Sequence, residues 1–171
     1  ISRLLKSVDI GEITIKEFPI DEYQSPSRIA NMVRAMWHIP SGPIDNVVDI
    51  IENNGGIIFS EYVPDSKIDA MSQWVKNLTP RNMILTGNYG EETAPPLFFI
   101  NKSKPMDRIR FSLCHELGHS IMHKIPNDDI EHQADQFAAE FIMPEADIKK
   151  SLYNLTFEKL VKLKLHWKVS I

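Results

Sequence analysis

A chain of 171 residues with 43% apolar content is long enough to bury a sizeable core. Its net charge of −4 and pI near 5.9 give no electrostatic footprint for nucleic acid, so direct DNA or RNA binding by this chain is not expected. The single cysteine, Cys114, excludes an internal disulfide framework and points to the reducing cytoplasm. No run approaches the ~20 apolar residues that span a bilayer, so no membrane association is expected.

Ser25 and Pro26 open the first predicted helix, where Ile29, Met32, Val33, Met36 and Trp37 follow the i, i+3, i+4, i+7 spacing of one buried face. It stops before Pro40. A second helix is predicted from Pro43 through Val47, Val48, Ile50 and Ile51, closed by Gly55 and Gly56. Strands follow at Ile57–Val63, Ile68–Val75, Met83–Thr86 and Leu97–Asn101, separated by turn residues. Helices return with a segment from about Pro105 to about His123, for which Ser103 is a candidate cap. Another runs from a cap at Asn127 or Asp128 to Pro144, and two short ones lie near 145–153 and 157–166. Nothing repeats and no segment is low-complexity, so one domain over 1–171 is expected, with α+β character.

Chemistry concentrates in His115-Glu116-Leu117-Gly118-His119, an H-E-x-x-H pattern inside the helical segment. Residues four apart lie on one helix face, so both imidazoles can reach one metal ion. Glu116 then sits beside the ion's open position as a general base. Such a donor set suits Zn²⁺, with Mn²⁺ the alternative, and a catalytic zinc needs a third protein ligand. His123 extends the series but lies about 12 Å along the axis from His115, too far to share the ion. It is read instead as a helix-end histidine or one acting behind the ligands. The longer H-E-x-x-H-x-x-G-x-x-H pattern fails, because Met122 and Ile125 occupy the glycine and third histidine positions.

The third ligand is sought in the next helix. Ile130, Ala134, Phe137, Ala138 and Phe141 form its core face, and Glu131 and Asp135 lie four apart on the flank. Glu131 can reach the ion, and Asp135 can accept the free ring N–H of a ligand histidine. The alternative is two solvated carboxylates on an amphipathic helix. Glu140, about 180° round from Glu131, should face water. Cys114 points away from the ligand face and reads as a small buried hydrophobe.

Residues 108–119, RIRFSLCHELGH, followed by residues 131–144, EHQADQFAAEFIMP, resemble the ImmA/IrrE family of metallopeptidases. Their patterns R-x-R-F-[ST]-x-A-H-E-x-G-H and E-x-x-A-[ND]-x-F-A-x-x-L-L-M-P are met in order and spacing. Weaker likeness covers 34–44 and 163–170, while Cys114 replaces the usual alanine and Asp135 the commoner asparagine. The resemblance implies a zincin-like α+β fold, a small and mostly antiparallel sheet packed on the H-E-x-x-H helix with further helices. It implies His115, His119 and Glu131 as metal ligands and Glu116 as catalytic acid/base. It also implies a cytosolic protein or peptide substrate, a helix-turn-helix transcriptional repressor whose cleavage controls gene expression. An extended substrate could pair with an exposed strand between 57 and 101. Tyr89, Tyr153 and His166 are weaker candidates for stabilising the oxyanion. The family domain often follows a helix-turn-helix module, and a chain opening on Ile1 could be a fragment preceded by one. Two other functions fit the motifs: a non-hydrolytic metal- or ligand-sensing module attached to a DNA-binding domain, and a toxin–antitoxin component. The intact Glu116 favours the hydrolase, since a binding module has no chemical need of it.

Overall fold

The computed structural model describes residues 13–74, 95–123 and 128–170. Within them lie helices α1 (Ile20–Tyr23), α2 (Pro26–Met36) and α3 (Val47–Asn53), strands β1 (Ile57–Glu61), β2 (Ala70–Trp74) and β3 (Pro96–Asn101), and helices α4 (Met106–Met122), α5 (Ile130–Ile142), α6 (Glu145–Ile148) and α7 (Phe157–Trp167). The architecture is α+β. The sheet has the order β1-β3-β2. It is mixed: the antiparallel β2–β3 pair expected of a mostly antiparallel sheet is joined by a parallel β1–β3 pair, with Phe59 opposite Phe99. The predicted strand at 83–86 lies outside the described residues.

Local chemistry explains where most elements begin. Ser25 Oγ accepts from the backbone N–H of Arg28 at 3.2 Å and Pro26 takes the first helical position, so α2 starts as its sequence predicts. The next helix starts four residues later than predicted, at Val47 rather than Pro43, because Asn46 Oδ1 accepts from Val48 N at 3.1 Å and caps it there. Gly55, at φ 88°, turns the chain out of α3 into β1. Both following strands are shorter than predicted. Buried Asn101 explains this: its side chain accepts from Val63 N at 3.0 Å and donates to Val63 O at 2.8 Å and Ile68 O at 3.1 Å, holding the intervening residues as a turn. Ser103 joins that turn by donating to Asn101 Oδ1 at 2.8 Å, so it does not cap the following helix; Pro105 stands at that position. Helix α5 is preceded by Asp129, with no side-chain cap.

The core gathers Ile29, Val33 and Trp37 of the α2 region, Ile51 of α3, Phe98 of β3, Leu113, Leu117 and Ile121 of α4, and Phe137 and Phe141 of α5. Helices α4 and α5 pack along each other, with α5 sandwiched between α4 and α2. Gly118 allows the close approach, since a Cβ there would stand 3.0 Å from Phe137 Cδ1. On the other side of α5, buried Arg34 donates to Phe141 O at 2.7 Å, Pro40 O at 2.6 Å and Gly42 O at 2.9 Å. Glu140, predicted to face water, is half-buried and accepts from Asn31 Nδ2 at 2.8 Å, which ties α5 to α2. Strand β2 is fastened to α4 by two side chains of one strand face: Trp74 Nε1 donates to Ser120 O at 2.8 Å, and Ser72 Oγ meets the Glu116 turn. Among the described residues, no helix is long and apolar enough to cross a membrane.

Candidate metal centre

One turn of α4 separates His115 from His119, and their Nε2 atoms converge to 2.9 Å. The first turn of α5 brings Glu131 over them, with Oε2 at 3.3 Å from His115 Nε2 and Oε1 at 3.4 Å from His119 Nε2. Ligand atoms of these three residues all lie within 4.8 Å of one another. A tetrahedral ion with bonds of about 2.0–2.1 Å needs ligand atoms about 3.4 Å apart, so the donor set fits a small divalent cation. The imidazoles are mostly sheltered, at 17% and 19% side-chain exposure, while Glu131 is 76% exposed, so the cluster sits where core gives way to solvent.

The second nitrogens of the rings are also engaged. His115 Nδ1 lies 2.8 Å from Asp135 Oδ1. A carboxylate only accepts, so the ring hydrogen is on Nδ1 and the Nε2 lone pair is turned toward Glu131 and His119. His119 Nδ1 lies 3.0 Å from His123 Nδ1, and His123 Nε2 lies 3.0 Å from Gln133 Oε1. The ring of His123 therefore meets the outer side of His119 and stays out of the ligand cluster. Burial, reinforced by the neighbouring His115, pulls the His119 pKa below the ordinary histidine value; burial also lowers that of His123. Both rings are thus drawn toward the neutral form, which for His119 is the form that could bind a metal ion.

Glu116 faces the strand side of the same helix turn. Ser72 Oγ donates to its Oε2 at 2.7 Å and lies 3.1 Å from its carbonyl oxygen. Glu116, His115 and Asp135 share the wall of a cleft of about 270 Å³ with Ala70 of β2. A larger, mainly apolar cleft of about 550 Å³ lies elsewhere, between α3, α4 and α7, and shares none of these residues. Cys114 is fully buried, its thiol pushed up to about 12 by desolvation, as befits a packing residue. Tyr153 and His166 lie on exposed positions of the C-terminal region, where His166 packs edge-on against Trp167; Tyr89 falls outside the described residues.

Ser72 and Gln133 escaped the sequence reading. The alternation Ala70, Ser72, Trp74 places Ser72 on the strand face that meets α4, a signal that was available. Gln133, two residues beyond Glu131, has no periodic relation to it that would have singled it out.

The peptidase M78 family profile, described as the IrrE N-terminal-like domain, matches residues 74–171, which include α4, α5 and all three clustered residues, His115, His119 and Glu131. Comparison with curated proteins finds no match. The match covers more than half of the chain, and the protein belongs to the ImmA/IrrE (M78) family of metallopeptidases.

Proposed function

We propose that the chain is one metallopeptidase domain, a Zn²⁺-dependent endopeptidase in which His115, His119 and Glu131 hold the ion and Glu116 is the catalytic acid/base. The observation that carries this reading is the convergence of two imidazole Nε2 atoms and a carboxylate beside a cleft that Glu116 also lines. A divalent ion bound there would supply Lewis acidity, making water easier to ionise and polarising a peptide carbonyl. Mn²⁺ is the alternative ion.

The protein's own groups account for the proton movements. Glu116 Oε2 is occupied by the Ser72 hydroxyl, which leaves Oε1 to take a proton from the attacking water. The same oxygen then passes the proton to the departing amine as the peptide C–N bond breaks. Asp135 keeps the His115 ring turned so that Nε2 faces inward.

Substrate enters as an extended segment. Strand β2 is an edge of the sheet among the described residues and runs beside α4, so its free backbone groups suit pairing with a peptide strand. The substrate we propose is a cytoplasmic helix-turn-helix repressor, a choice that rests on the family resemblance, with cleavage relieving repression. No direct contact with nucleic acid by this domain is needed. Incubation with repressors encoded beside it, with and without a chelator, tests the reading. Glu116→Gln should retain a full equivalent of zinc and lose cleavage. A variant that cleaves undiminished removes Glu116 from the chemistry, and a wild-type protein that binds zinc without cleaving points to a sensor module instead.

A further inference from the structure

We propose that His123 and Gln133 form an uncharged relay that fixes the tautomer of His119 and so sets the affinity of the site for its ion. The inference rests on the proposed metal centre and adds two residues to it. The Gln133 amide oxygen, 3.0 Å from His123 Nε2, can only accept, so the hydrogen of that contact belongs to His123 Nε2. A neutral His123 then has a bare Nδ1. That atom faces His119 Nδ1 at 3.0 Å, a contact that needs one hydrogen between two nitrogens, and only His119 can provide it. With its hydrogen on Nδ1, His119 presents the Nε2 lone pair to Glu131 and His115. Each link dictates the next.

The two ligand histidines are thereby supported differently. His115 is backed by a carboxylate, whereas His119 is backed by a neutral imidazole and a neutral amide. The site already carries Glu116, Glu131 and Asp135, and a neutral support orients the second ring without adding a fourth negative charge. The relay also bridges the two ligand-bearing helices, since His123 ends α4 and Gln133 lies in the first turns of α5.

Competition for Zn²⁺ between the purified protein and a chromogenic chelator tests the relay without any substrate. His123→Ala should weaken zinc binding by roughly tenfold to a hundredfold, the usual consequence of removing a group that orients a metal ligand. Gln133→Ala should weaken it by a smaller factor, and the double variant should be no weaker than His123→Ala alone, because in the relay Gln133 reaches His119 by way of His123. Long-range proton–nitrogen NMR of the zinc-loaded protein should find His119 protonated at Nδ1. Should His123→Ala fail to fold, Gln133→Ala and the NMR tautomer decide. Unchanged affinity in Gln133→Ala and His123→Ala, or additive losses in the double variant, overturns the relay while leaving the metal centre intact. Failure of the wild type to bind one equivalent, or binding undisturbed by Glu131→Ala, overturns the metal centre and the relay with it.

Discussion

Gly118, inside the H-E-x-x-H motif, lies directly against Phe137 of α5, and Gly118→Ala measures how far that contact dictates the geometry of the candidate site. On an isolated helix the substitution would stabilise by about 1 kcal/mol. Here the new methyl carbon would stand 3.0 Å from Cδ1, 3.2 Å from Cγ and 3.3 Å from Cβ of Phe137. Those separations are inside the ~3.5–4.0 Å optimum for carbon contacts. Phe137 cannot swing aside, being fully buried with its ring stacked on Phe141 at 5.5 Å. Overpacking of this kind costs about 1–3 kcal/mol. The packing cost exceeds the propensity gain, leaving a net loss of roughly 1 kcal/mol and a Tm lower by about 2–4 °C for a chain of this size. Relief comes from α5 moving outward by a few tenths of an ångström, which carries Glu131 away from its 3.3 and 3.4 Å contacts with the two rings. A shift of Glu131 by that much should lower zinc affinity by roughly tenfold, the lower end of what disturbing a metal site's supporting groups costs. Thermal unfolding of the apo-protein and chelator competition read the two effects separately. Adding Phe137→Leu should recover part of both, a coupling of roughly 0.5–3 kcal/mol in the stability cycle. A Gly118→Ala protein about 1 kcal/mol more stable than wild type with unaltered zinc binding would refute the steric reasoning, since propensity alone would then govern the site.

Two further outcomes follow from the geometry. Ser72→Ala should keep a full equivalent of zinc while lowering kcat by roughly tenfold to a hundredfold at nearly constant KM, the worth of a ~1.5–3 kcal/mol hydrogen bond to a charged group; an unaltered kcat removes Ser72 from the positioning of Glu116. For pH, His119 and His123 bind protons less readily in the folded protein than the ordinary histidine of the unfolded chain, burial being the main cause. Their contribution is intact above the ordinary value of about 6.5 and is lost as pH falls from there toward the folded values. The urea midpoint of the apo-protein should therefore be lower at about pH 5.5 than at about pH 7.5, and the difference should shrink in His123→Ala; a pH dependence identical in that variant would exclude His123 as a source.

Much of this arrangement is written locally. Helical periodicity places His115 and His119 on one face of α4, and the same rule puts Glu131 and Asp135 together on α5. Ser25 identifies the start of α2 because its cap bond spans only three residues. What local pattern cannot encode is pairing at long range. The truncation of β1 and β2 depends on Asn101, which bonds to residues more than thirty positions earlier. The parallel β1–β3 pairing is equally hidden, because alternation of apolar side chains is the same for either strand direction. Ser72 becomes meaningful only once β2 lies against α4, and Gln133 only once α5 folds back beside His123. The late start of α3 is a different kind of miss: the prediction takes Pro43 as the opening residue, whereas Asn46 caps the helix three residues further on.

The guanidinium of Arg34 bears on where this chain can be cut. The family match begins at residue 74, yet Phe141, on α5 inside the match, gives its carbonyl to a side chain that lies well upstream of it. Strand β3, also inside, takes both of its neighbours from outside: β1 wholly, and β2 up to its last residue, Trp74. A fragment trimmed to the family boundary would strip α5 of its apolar cover from α2 and take from the Phe141 carbonyl its guanidinium donor. The stretch that carries the family signature thus takes part of its packing from sequence the signature does not reach.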